Sequence, residues 1–204
     1  TRRVHGFRRR WNRVTERGAM QGSQPAEHGD RGGEADPIRF RAPDVEDGPG
    51  VWRLVNEVGT LDRNSSYTYA LLCRDFSETC LLAERAGQLQ GCVTGYRPPA
   101  HPDTVFVWQV GVAPQARGQG LASRLLDGLL RSPGCREVRF LETTVTPSNE
   151  ASRALFQSLA RRLDAAMIES EGFPARLFPE AGHEAEPRLR IGPFDASRLR
   201  QAVG

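Results

Sequence analysis

Apolar and polar residues alternate at Ile38-Arg39-Phe40-Arg41, a two-residue period that predicts a short strand. From Asp44 to Val58 the period lengthens. Val51, Leu54, Val55 and Val58 fall on one stripe of a helix, and Asp44 is suited to cap it. Leu61-Asp62-Arg63-Asn64-Ser65-Ser66 is loop chemistry, with Ser66 as the expected cap of a second helix through Tyr67, Ala70, Leu71 and Arg74. Runs from Thr79 to Arg85 and from Gly91 to Tyr96, joined through Ala86-Gly87-Gln88, predict a hairpin. Prolines 98, 99 and 102 then forbid both helix and ladder. Thr104 to Val112 is the strongest strand pattern, and Gly111 near its end invites a bulge. Leu121, Leu125, Leu126 and Leu129 predict a helix from about Gly120 to Arg131. A strand from Val138 to Val145 follows, then a helix from Asn149 to Arg162 with Ala151, Leu155, Leu159 and Leu163 every fourth residue. Ala165 to Glu169 and Arg188 to Ile191 carry weaker strand signals. Strands separated by helices after a leading meander predict an α/β or α+β fold, a single mixed sheet with helices on its faces.

Composition changes this picture mainly at the ends. Residues 1–36 hold Arg, Gly, Gln and acids with little apolar periodicity, a composition that cannot offset its own ordering entropy, so a disordered tail is expected there. Met20 within it is an alternative start. The organisation expected is a tail over 1–36, a domain over 37–194 and a short C-terminal tail over 195–204. All 28 basic residues are Arg, which excludes a lysine nucleophile or Schiff base. Their excess is segregated: residues 1–24 carry seven Arg against Glu16 alone, while residues 25–204 carry 21 against 24 acids. A nucleic-acid footprint would therefore have to lie in the tail alone, and nucleic acid is not the expected partner. No stretch is apolar for 18 residues, so no membrane span is expected. Cys73, Cys80, Cys92 and Cys135 form no C-x-x-C pair and have no His at ligand spacing; they read as reduced packing thiols, with no metal site, in a cytoplasmic protein. The Arg-rich start lacks the apolar run of a secretory signal.

Chemistry enters between the strand ending at Val112 and the helix beginning near Gly120. Gly118 and Gly120 let backbone N–H groups converge at a helix N-terminus with no Cβ in the way, an anion site suited to a pyrophosphate. A Walker A loop would need a Lys, and the dinucleotide fingerprint G-x-G-x-x-G is absent.

The string Val110-Gly111-Val112-Ala113-Pro114-Gln115-Ala116-Arg117-Gly118-Gln119-Gly120-Leu121-Ala122 resembles the acetyl-CoA loop of GNAT N-acetyltransferases, Q/R-x-x-G-x-G/A, with Gln115, Gly118 and Gly120 in register. Some 30 residues on, Asn149-Glu150-Ala151-Ser152-Arg153-Ala154-Leu155-Phe156 is similar to the family's strand-to-helix motif. Within GNAT, residues 37–194 resemble the L-2,4-diaminobutyrate acetyltransferases through Leu61 to Tyr67, Cys73 to Phe76, Val105 to Val110, Leu141 to Asn149 and His183-Glu184-Ala185-Glu186. The resemblance implies the GNAT fold: a mixed, mostly antiparallel sheet with a bulged, splayed central strand and helices on both faces. It also implies a homodimer, acetyl-CoA as co-substrate, L-2,4-diaminobutyrate as acceptor, and a step toward the compatible solute ectoine under osmotic stress.

For the cofactor it implies that the edge of Val110, Gly111 and Val112 bonds the pantetheine arm. The N–H groups of Gln115 to Leu121, including Gln119, with Ala122 beyond, hold the pyrophosphate, and Asn149, Ser152 and Phe156 flank it. Arg117 either reaches a phosphate or is a solvated loop arginine. A substrate with two ammonium groups and one carboxylate calls for acids near the nitrogens and donors near the carboxylate. Asp62, Glu142 and Glu186 are the acidic candidates, Asn64, Tyr67, Gln109 and Thr144 the hydrogen-bonding walls, and Trp108 packs the methylene stem. The ordinary alternatives are a turn former for Asp62, a strand salt bridge for Glu142 and a surface residue for His183.

In direct transfer a neutral amine attacks the thioester, so an ammonium must first lose a proton. Glu186 with His183 beside it is the favoured acceptor, and Asp62 an anchor. Phe156 stands where the superfamily often has a Tyr that protonates the departing thiolate. Either another group such as Tyr67 serves, or water does, or the thiolate leaves unprotonated. The competing readings are a GNAT enzyme for another small amine or a polyamine, and a non-catalytic acyl-CoA-binding regulator.

Overall fold

The computed structural model describes residues 36–59, 61–196 and 199, so the expectations for 1–35, Met20 included, lie outside the described residues. In order come β1 (Arg39–Arg41), α1 (Gly48–Val58), α2 (Ser66–Asp75), β2 (Leu81–Arg85), β3 (Gln88–Tyr96), β4 (Thr104–Val112), α3 (Leu121–Leu130), β5 (Phe140–Thr144), α4 (Glu150–Arg162), β6 (Met167–Phe173) and β7 (Glu186–Ile191). They build one seven-stranded sheet in the order β1-β2-β3-β4-β5-β7-β6. β4 with β5 is the parallel pair, and the remaining neighbours are antiparallel.

Local sequence explains most element ends. Asp44 caps a short 3-10 turn rather than α1 itself, accepting the Glu46 amide at 2.9 Å, while the Asp47 carboxylate accepts the Asp44 amide at 2.8 Å. α2 starts one residue earlier than expected: Ser65 holds the cap position, and its hydroxyl lies 3.2 Å from that of Thr68. The buried stripe of α2 is Tyr69, Leu72 and Cys73, which turns Tyr67 outward at 71% exposure. The β2–β3 connection is a two-residue turn in which Ala86 and Gly87 both have positive φ, the mirror-image geometry that matches strand twist. On α4 the buried positions are Phe156, Leu159 and Ala160, with Leu163 behind them, whereas Ala151 faces solvent.

The sheet is covered on both faces. A Cβ on Gly91 would meet Leu121 and Leu125 of α3, whereas one on Gly111, opposite Cys92, would meet Val58 of α1. Successive residues of a strand face opposite ways, so α1 with α2 and α3 with α4 occupy opposite faces. Ala196 and Leu199 are 6% and 5% exposed, so the core runs past residue 194 into the stretch expected to be a tail.

The irregularity of β4 is not at Gly111, which pairs regularly with Cys92. Thr94 pairs with Gln109 and Gly95 with Val107, leaving Trp108 as the extra residue of a bulge. The glycine that accommodates it is Gly95 on the partner strand, where a Cβ would lie 2.5 Å from the Phe106 carbonyl oxygen. β4 and β5 stay paired only from Thr104 to Phe106 against Phe140 to Glu142; beyond that the strands separate. The separation opens the site.

Candidate active site

The gap between β4 and β5 is the middle of a cavity of about 650 Å3. One end lies on the α1–α2 face, lined by Asp62, Thr68, Phe76, Tyr96, Phe106, Gln109, Thr144, His183 and Glu186. The other reaches Asn149, Ser152 and Phe156 at the start of α4, on the opposite face. Trp108 and Val110 of β4 and Thr143 to Thr146 after the split form the waist. The cleft thus passes through the plane of the sheet, so two molecules can enter from opposite faces and meet at the strand edges.

At the first end, ligand atoms of Asp62, His183 and Glu186 all lie within 4.8 Å of one another. Asp62 comes from the α1–α2 loop, Glu186 opens β7 and His183 precedes it, so only the fold joins them. Thr144 donates to Glu186 Oε2 at 2.5 Å, and His183 Nε2 stands 3.9 Å from Glu186 Oε1. The His183 ring stacks on Phe178 with centroids 3.8 Å apart, and its Nδ1 is 2.7 Å from the Glu184 carbonyl oxygen. That bond directs Nε2 toward the cavity as an acceptor when the ring is neutral. Two carboxylates and an imidazole can hold a cation, whether an ammonium or a metal ion, and can accept a proton.

Three expected site residues stand elsewhere. Glu142 is 5% exposed and does not line the cavity; it pairs with Arg190 beside it on β7, and with Arg188 at 3.8 Å, the strand salt bridge that was its ordinary alternative. Arg190 in turn stacks over Phe140, 3.9 Å from its centroid. Tyr67 is exposed and off the cavity. Asn64 is not a wall either; its side-chain amide donates to the Asp62 carbonyl at 3.2 Å and braces that loop. Gln109 does line the cavity, with its Nε2 bound to the same carbonyl at 2.9 Å.

Tyr96 is the one ionisable residue among the described cavity-lining residues that sequence reading missed. It lines the cavity between Phe76 and Phe106, and burial, with a smaller push from Glu142, raises its hydroxyl above the ordinary tyrosine value, so it keeps its proton. Its position at the end of β3, cross-strand from Phe106, was the available signal, but only the bulge assigns its face.

The cofactor end has two devices. The Ala113 amide donates to Gln90 O on β3 at 2.9 Å, so strand alternation turns the polar groups of Val110 and Val112 toward the open edge and those of Gly111 back toward β3. α3 has no side-chain cap, and its first backbone bond is from Arg124 to Gly120 O at 3.1 Å, which leaves the amides of Leu121, Ala122 and Ser123 pointing out of its N-terminus. Gly118 and Gly120 have φ of 74° and 68°, so the turn itself needs glycine. Gln115 and Gln119 join across this turn, with Gln119 Nε2 3.5 Å from Gln115 O. The Leu121 side chain is core, at 2% exposure. Arg117 is exposed, as in the solvated-loop alternative, and its guanidinium donates to Val58 O at 2.8 Å and Val112 O at 3.4 Å, tying the end of α1 to the end of β4. Asn149 caps α4 by accepting the Ser152 amide at 3.1 Å.

Residues 51–160 match the model of the acetyltransferase (GNAT) family. An L-2,4-diaminobutyric acid acetyltransferase of Marinococcus halophilus is 52% identical over 162 residues, 79% of this chain and 94% of its own. A solved diaminobutyrate acetyltransferase from Paenibacillus lautus, in complex with its substrate L-2,4-diaminobutyric acid and coenzyme A, superposes with a TM-score of 0.75 at 44% identity, covering 78% of this chain and 96% of its own. The ribosomal-protein-S18-alanine N-acetyltransferase of Escherichia coli, 18% identical with a TM-score of 0.57 over 78% of this chain and 94% of its own, shares the fold.

Proposed function

Since the chain belongs to the GNAT acetyltransferase family, and within it to the L-2,4-diaminobutyric acid acetyltransferases, we propose that its cleft transfers acetyl from acetyl-CoA to the γ-amine of L-2,4-diaminobutyrate, on the route to ectoine. The observation that carries this reading is the pairing of Asp62, His183 and Glu186 at one end of a cleft whose other end meets an open strand edge.

Acetyl-CoA supplies the activated carbonyl. Val110 and Val112 hold its pantetheine arm as an added strand, and the free amides of Leu121 and Ala122 at the α3 N-terminus, behind the Gly118–Gly120 turn, take its pyrophosphate. Asn149 and Ser152 flank it, and Phe156 packs against it. On the opposite face Asp62 holds the α-ammonium, charged and therefore unreactive, while the two-methylene stem packs on Trp108. The γ-ammonium lies nearer Glu186 and His183, which take its proton so that the neutral amine attacks the thioester. Phe156 has no proton to give to the departing thiolate; of the tyrosines near the cavity, Tyr96 keeps one, in place of the Tyr67 expected from the sequence.

Four free, buried thiols suit a reducing cytoplasm, and the exposed Ile168 on β6 with nearby Phe173 and Leu177 suits a homodimer. The test is turnover of acetyl-CoA with diaminobutyrate, with NMR of the product. Nγ-acetylation is expected, with losses of about tenfold or more on ornithine and 2,3-diaminopropionate, which misplace the amine by one methylene. Predominant α-acetylation, or equal rates on ornithine, would overturn the assignment.

A further inference from the structure

Asp62 is exposed on a loop, yet it must meet the substrate's ammonium with fixed geometry, so something has to hold that loop. Its carbonyl accepts two donors, Gln109 Nε2 at 2.9 Å and Asn64 Nδ2 at 3.2 Å. Gln109 sits on β4 beside the bulge and is 5% exposed; its Oε1 accepts the hydroxyl of Tyr69 at 2.9 Å. Tyr69, on the inner face of α2, is 0% exposed. On the solvent side the Trp52 indole of α1 donates to the Asn64 carbonyl at 3.2 Å. An amide carries its acceptor and donors on opposite arms, so a hydroxyl bound to Oε1 turns Nε2 toward Asp62. Burial raises the Tyr69 hydroxyl above its ordinary value, which keeps it a donor throughout the working pH range.

We infer that Tyr69 is a positioning residue for substrate recognition: by orienting the Gln109 amide, it holds the Asp62 loop where its carboxylate meets the α-ammonium of the diamino acid, with Trp52 bracing the same loop through Asn64. This rests on the diaminobutyrate reading of the cleft. It separates the two tyrosines of the α2 segment, leaving Tyr67 on the surface and giving Tyr69 a task in specificity as well as in packing.

The test is Tyr69→Phe, which keeps the ring and deletes only the hydroxyl, assayed with diaminobutyrate and with 4-aminobutyrate, which lacks the α-ammonium and cannot use Asp62 in this way. Expected is a rise of about fivefold to tenfold in the KM for diaminobutyrate, with kcat within about twofold and the KM for acetyl-CoA unchanged, the size of one lost buried hydrogen bond. The kcat/KM for 4-aminobutyrate stays as in the unaltered protein, so the preference between the two acceptors falls by the same factor. Trp52→Phe shifts the preference in the same direction by a smaller factor and, being partly exposed, decides the matter if Tyr69→Phe does not fold. An unchanged KM for diaminobutyrate, or equal losses on both acceptors, overturns the inference. Failure of the unaltered protein to acetylate diaminobutyrate brings down the substrate reading as well, and is distinguished by that measurement alone.

Discussion

Two glutamates divide the labour at the residue scale. Glu142 is enclosed by Arg188 and Arg190 across the β5–β7 ladder, whereas Glu186 opens into the cleft beside His183. Glu142→Gln should therefore lower stability by about 1–3 kcal/mol by leaving arginine charge unmatched, with the KM for diaminobutyrate unaltered, as urea denaturation and steady-state rates would show. Glu186→Gln should do the reverse, holding the urea midpoint while kcat falls by about 100-fold, because a proton acceptor is lost. At the phosphate turn, Gly120→Val forces a β-branched residue to φ of 68° and sets a side chain where the pyrophosphate would lie. Calorimetric titration should show at least about tenfold weaker acetyl-CoA binding, together with about 1–2 kcal/mol less stability. Unchanged affinity would make this turn purely structural.

Among the elements, the entry to α1 carries a pH dependence. Arg41 on β1 bonds both carboxylate oxygens of Asp47, at 2.6 and 2.7 Å, and the guanidinium holds that carboxyl below its ordinary value. A depressed folded-state value means the contribution is complete above the unfolded value of about 4 and is lost as pH falls through the lower folded value. Asp47→Asn should flatten the fall of the urea midpoint below about pH 4 while leaving kcat unaffected. The thiols sit in the core, Cys73 on α2, Cys80 just before β2, Cys92 on β3 and Cys135 in a turn after α3. Burial pushes Cys73 and Cys92 up to about 12 and Cys80 to about 11, and raises Cys135 as well, so all four should resist a thiol reagent at pH 8 and react only on unfolding. The hairpin and β4 were legible because tight turns and two-residue periods are local. The bulge was not, since its glycine, Gly95, belongs to the neighbouring strand.

At the scale of the whole molecule, every cleft and phosphate-turn residue named above lies between Asp62 and Glu186, and the excess Arg of residues 1–24 is far from them in sequence. A chain beginning at Asp36 should thus keep the turnover and thermal midpoint of the full chain; loss of either would show that residues 1–35 serve the site or the dimer. The proposed homodimer has its own test: Ile168→Arg should shift sedimentation toward the monomer if the exposed residues of β6 form the contact.

By itself the sequence determined whatever depends on neighbours along the chain. That includes the order of strands and helices, the glycine turn before α3 whose amides await an anion, and the motifs at Gln115 to Gly120 and Asn149 to Phe156. Only tertiary structure decided which side chains share the cleft. Asp62, His183 and Glu186 lie up to 124 residues apart and meet because β7 inserts between β5 and β6. Glu142 shares a strand face with Thr144 and leaves the site because Arg188 and Arg190 of β7 enclose it, whereas Tyr67 leaves and Tyr96 enters for a reason of facing. A strand or helix offers each side chain one of two faces, and which face looks into the cleft is set by the bulge at Trp108 and by the partner across the ladder, neither of which a local pattern contains.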